Sequence, residues 1–147
     1  MIEITKNEFR YTAPPKAKIG RALHCDSFNI NLNSINLIAI SPRLAIDDEI
    51  LFVLMITDTL KTHPIYLGDL ENSDVELLEN HFQLPAIMHL WGKFEYEDHY
   101  ESIDKIIYPK NYYWKNLFKN DWKLKIRKLY AGFHPKSFLG NLNKELF

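Results

Sequence analysis

Ile50-Leu51-Phe52-Val53-Leu54-Met55-Ile56 is the longest apolar run in the chain, and its reading decides the fold. It is bounded by Asp47-Asp48-Glu49 on one side and Thr57-Asp58 on the other, and it is too short for a membrane span. Apolar on both faces and rich in β-formers, it predicts a buried interior strand rather than a helix. His63-Pro64-Ile65-Tyr66-Leu67 follows across a turn at residues 58 to 62 and is expected to pair with it.

Upstream, Phe28-Asn29-Ile30-Asn31-Leu32 alternates apolar and polar, and after Asn33-Ser34 the apolar stretch Ile35 to Ile40 begins. The pattern predicts an antiparallel hairpin. Downstream, Ser73 three residues before Glu76 has the form of a capping box, and Val75, Leu78 and Phe82 share one helical face. Pro85 stops that helix. Lys93 to Glu97 alternates with strand period, and Ile103 to Tyr108 gives another strand ended by Pro109. Trp122 to Arg127 suits strand or helix equally, and Ser137 to Phe147 suits a short amphipathic helix despite Gly140. Together these elements predict an α+β fold, a mostly antiparallel sheet with a few helices.

The chain has 147 residues, which fits one globular domain spanning residues 1–147. The single cysteine, Cys25, rules out an internal disulfide and favours a reducing compartment. The first residues lack a secretion signal, so the expected location is cytoplasmic, with no membrane association. Lys outnumbers Arg, and Asn and Ile are frequent, as in proteins of AT-rich bacterial or mobile-element genomes.

Charge is sorted by position. Residues 45 to 104 hold fourteen carboxylates against Lys61 and Lys93, whereas residues 105 to 147 hold nine lysines and Arg127 against Asp121 and Glu145. Such asymmetry points to a charged partner, because summed fields steer association even when net charge is near zero.

Motifs for chemistry are scarce. The five glycines make neither a P-loop nor a dinucleotide fingerprint, and no Gly-x-Ser-x-Gly turn occurs. The six His residues fall at no ligand spacing, so no metal site and no cofactor are predicted. Cys25 reads as a small buried residue rather than a nucleophile. Carboxylates pair at Asp47-Asp48-Glu49, Asp69/Glu71 and Glu95/Glu97/Asp98, a pattern that suits solvated turns better than a hydrolase or nuclease site.

The leading expectation is a non-catalytic binding protein. An acidic surface of Glu95, Glu97, Asp98, Glu101 and Asp104, with Tyr96 and Tyr100 as anchors, would cover the cationic groove of a basic partner. A bacterial immunity protein that neutralises a cognate toxin is the class that fits. The alternative is nucleic-acid binding by the basic aromatic stretch 110 to 130, through Lys115, Lys119, Trp122, Lys123, Lys125, Arg127 and Lys128. A small hydrolase or nuclease with an unrecognised carboxylate site is the third reading. The sequence does not fix the oligomeric state.

Overall fold

The computed structural model describes residues 1–15, 25–45, 48–91, 104–110, 114–119, 122 and 139–147. Two antiparallel sheets organise them. The smaller has strand order β1-β2-β3, built from β1 (Ile2–Ile4), β2 (Glu8–Tyr11) and β3 (Phe28–Asn31). The larger has the order β6-β5-β4-β7-β8, with β4 (Ile35–Ala45), β5 (Asp48–Thr57), β6 (Thr62–Tyr66), β7 (Asp104–Tyr108) and β8 (Trp114–Lys115). Two helices, α1 (Asn72–Phe82) and α2 (Ile87–Trp91), complete an α+β architecture.

The apolar run Ile50 to Ile56 lies within the interior strand β5. Leu51 to Ile56 are all buried, as are Leu37 to Ile40 of β4, so both faces of the larger sheet are covered. Covering consecutive residues in this way is what permits an unbroken apolar strand. β6 pairs with β5 in the expected manner, Phe52 opposite Tyr66 and Met55 opposite His63. On the far side of β4, β7 aligns Ala39 with Ile106.

The expected hairpin between Phe28–Leu32 and Ile35–Ile40 does not form. Both segments are strands, but in different sheets: β3 pairs with β2, Phe28 opposite Tyr11, and β4 pairs with β5. Local hydrogen bonds explain the departure. The Asn31 side chain accepts from Asn33 N–H, and the Ser34 hydroxyl donates to the Asn31 carbonyl, closing a single 3-10 turn at Leu32–Ser34. This Asx-type corner redirects the chain from one sheet to the other.

Helix α1 starts earlier than the Ser73/Glu76 pair implies. Its capping box is Glu71/Asp74, with Glu71 N–H donating to Asp74 Oδ2 at 3.3 Å. Asp74 is drawn into that role because its other oxygen accepts from Ile2 N–H at 2.7 Å, a tertiary contact across 72 positions. The helix closes at Gln83 in the left-handed conformation, φ 53°, two residues before Pro85. Val75 and Leu78 are buried as the periodicity requires, and Phe82 packs edge-on against Tyr108 of β7, ring centroids 5.5 Å apart.

The C-terminal amphipathic helix is also corrected over its described part. Gly140 adopts φ 75°, and the chain beyond it runs antiparallel to residues 117–119: Leu142 bridges Phe118, Lys119 N–H donates to the Asn141 carbonyl, and Asn143 N–H to the Leu117 carbonyl. A left-handed glycine there costs little and ends helical continuation. Only a 3-10 turn at Lys144–Leu146 follows. The expected strand at Lys93–Glu97 lies outside the described residues, as does all of Trp122–Arg127 except Trp122.

Candidate functional site

A groove of about 610 Å³ runs between the end of the smaller sheet and the start of α1. One bank is Met1, Ile2 and Thr12 to Pro15, the continuation of β1 and β2; the other is Asp69, Glu71, Ser73, Asp74 and Leu77. Asp69 closes a 3-10 turn at Leu67–Asp69 that leads from β6 into α1, so the two carboxylates on either side of the helix start reach the same space.

The acids are held in different ways. Asp74 is buried and committed: besides Ile2 and Glu71 N–H, it lies 3.6 Å from the Met1 ammonium. Asp69 Oδ2 accepts from the Tyr11 hydroxyl at 3.2 Å. Burial first, and then the Asp69 charge, raise the Tyr11 hydroxyl far above its ordinary range, so it stays a donor. Glu71 is exposed, and Glu76 stands exposed one residue short of Leu77. No Lys or Arg side chain lines the groove among the described residues. Its apolar contribution comes from Met1, Ala13, the two prolines and Leu77, which is 38% exposed.

This arrangement suits a cationic side chain with an aliphatic stem. The stem of a lysine or arginine can lie along prolyl and leucyl surface while its head meets carboxylates. For metal binding the geometry is wrong, since no three His, Cys, Asp or Glu among the described residues converge on a common point. Cys25 is buried just ahead of β3; burial, opposed in part by a hydrogen bond from the Tyr66 backbone, pushes its thiol up to about 12. Such a thiol is a poor nucleophile.

Of the partner-facing residues expected from the sequence, Glu95, Tyr96, Glu97, Asp98, Tyr100 and Glu101 lie outside the described residues. Asp104 requires correction. It is 0% exposed on β7, where it accepts hydrogen bonds from Ser41 Oγ and Leu117 N–H, so its carboxylate belongs to the interior and is not offered to a partner. Among the basic residues, Lys119 is exposed, Lys115 is half-buried on β8, and Trp122 is 66% exposed. Lys123, Lys125, Arg127 and Lys128 lie outside the described residues.

The sequence pairs Asp69 with Glu71, but nothing in it shows their convergence with Asp74 and with residues 1–2 and 12–15. That convergence is a product of the Ile2–Asp74 hydrogen bond, which no local pattern encodes. Ion pairs among the described residues include Met1 with Asp74 and Arg10 with Glu3. No helix among them is long and apolar enough to cross a membrane. Comparison with known proteins finds no family model, no curated relative and no solved structure that matches this chain.

Proposed function

We propose that the protein is a non-catalytic binding protein that engages a basic protein partner, and that neutralisation of a cognate toxin by an immunity protein is the setting that fits it best. The observation that carries this reading is the groove, with carboxylates on its α1 bank, apolar surface on both banks and no Lys or Arg among the described residues that line it. Negative charge along the groove accelerates encounter with a cationic surface, and exclusion of water over Leu77 and Pro14 then anchors it. In sequence, the acidic stretch from Glu95 to Glu101 follows α2.

A photo-crosslinking amino acid at position 77 in the native cell captures whatever occupies the groove. The expected product is a basic protein, and its purified complex should associate about tenfold more slowly after Ser73→Lys and Glu76→Lys, most clearly at low ionic strength. Neither substitution touches the Glu71/Asp74 cap. A crosslinked partner with an acidic contact face, or association that ignores both charge changes and salt, overturns the proposal.

Nucleic-acid binding is supported as a second reading by one observation, the exposed ring of Trp122. Base stacking on that ring would quench its fluorescence with a single-stranded oligonucleotide, and Trp122→Ala would abolish the response. No quenching at low salt removes this reading.

A further inference from the structure

The two sheets meet along a seam made largely of side chains. Phe28 of β3 stacks on His63 of β6, ring centroids 4.7 Å apart and planes inclined by 39°. Phe28 also touches Tyr11 and Phe9 of β2, at 5.6 and 5.8 Å. Tyr11 in turn donates to Asp69, and Ile2 N–H to Asp74. The groove spans this same seam, because its banks come one from each side.

We infer that the Phe28–His63 contact is a pH-sensitive latch: proton uptake by the His63 ring releases the three-stranded sheet from β6 and reshapes the groove between them. His63 is only 8% exposed, and among the described residues neither ring nitrogen has a hydrogen-bond partner. A neutral ring tolerates that position as an aromatic surface, whereas an imidazolium needs two acceptors.

The described residues packed against it supply no charged acceptor. β5 presents Met55 opposite His63, flanked by Leu54 and Ile56, all uncharged. β3 presents Phe28, with Asp26 exposed ahead of it. From β2, Tyr11 stands behind Phe28 with its hydroxyl already given to Asp69. Beside β6 itself the charged group is Lys61, which repels a proton on His63. Burial acts in the same direction and more strongly, so the ring's affinity for a proton lies below the ordinary 6.5 while the seam is closed. Opening restores the ordinary value, and the proton is therefore bound preferentially by the open form. Stabilisation of the closed seam is fully present above about pH 6.5 and declines as pH falls below it.

The consequence for the groove rests on the function proposed above, but the latch is testable without any partner. Hydrogen exchange on the full chain, corrected for intrinsic rates, should show peptides of β1–β3 and of residues 69–77 losing up to about tenfold in protection between pH 7.5 and about pH 5.5, one unit below the ordinary His value. Peptides of β4 and β5 should keep theirs. His63→Phe, which retains a stacking ring, should abolish the loss, whereas His81→Gln, at an exposed ring on α1, should not. Loss shared equally by both sheets, or an unchanged response in His63→Phe, overturns the latch. So does a direct NMR titration in which the His63 ring of the unsubstituted protein protonates at or above pH 6.5. Failure of partner binding with the latch intact would count against the groove proposal alone.

Discussion

Ser41 Oγ donates to Asp104 Oδ1 at 2.5 Å, both residues fully buried, and this bond ties β4 to β7 at the level of the core. The second carboxylate oxygen accepts from Leu117 N–H at 3.1 Å, which fixes the segment following β8. One acidic side chain thus joins its own strand to two pieces of chain 13 and 63 positions away.

Asp104→Ala should destabilise the protein by about 2–5 kcal/mol, because it strands a hydroxyl and an N–H away from water, each costing about 1–3 kcal/mol. Asp104→Asn should cost less, since its amide can accept from Leu117 while donating to Ser41, whose hydroxyl is free to turn. Urea unfolding midpoints measure both. Equal losses for Ala and Asn would mean that negative charge, not hydrogen-bond count, is what the site requires.

Asp74 performs a similar service at the groove. Asp74→Ala should remove the helix cap, about 1 kcal/mol, and leave Ile2 N–H without its acceptor, for a total of about 2–3 kcal/mol. The local signature is sharper than the global one: amide exchange at Ile2 should rise while that of Leu51 to Ile56 tracks only the overall stability.

How much of this was legible follows from which contacts are local. β5, β6 and β7 were readable because an unbroken apolar run, its antiparallel neighbour and a Pro-terminated strand each carry their signal within ten residues or fewer. The hairpin at Asn31–Ser34 failed because two asparagines and a serine suit either a hairpin loop or a corner, and only β2, twenty residues upstream of β3, decides between them. Asp104 looked like one more acid at the edge of an acidic run. Nothing near it in sequence marks it as buried; the marks are Ser41 and Leu117, reached only through the sheet. The groove carboxylates were visible singly, and their assembly was not.

Cys25 should resist alkylation. Burial raises its thiol from an ordinary 9.0 to about 12, so near neutral pH the thiolate population falls on the order of a thousandfold before steric protection is counted. A chromogenic disulfide reagent should react negligibly with native protein and stoichiometrically once it is unfolded. Because the folded value is the higher one, this group's contribution to stability is fully present below about pH 9 and is lost as pH rises toward 12. Cys25→Ala should flatten the alkaline limb of the stability profile, and an unaltered limb would place the alkaline sensitivity elsewhere.

Gly68 lies beneath the ring of Tyr66. A Cβ added there would stand 2.6 Å from the ring carbons Cε1 and Cζ and 2.7 Å from the hydroxyl oxygen, well inside contact distance. The ring cannot simply be pushed aside, because it also packs against Phe52 of β5, with centroids 6.2 Å apart. Gly68→Ala should therefore cost about 1–3 kcal/mol, the usual range for forcing extra volume into an occupied space. The cause is separable by a double-mutant cycle: in a Tyr66→Ala background the same glycine substitution should cost less than half as much, giving a coupling of about 0.5–2 kcal/mol. Additive losses would show that the backbone at position 68, not the ring above it, demands glycine. Since Asp69 follows directly and bears on the groove, the single variant should also weaken the Tyr11–Asp69 bond, read as faster exchange at Tyr11, while Tyr66→Ala alone leaves that bond in place.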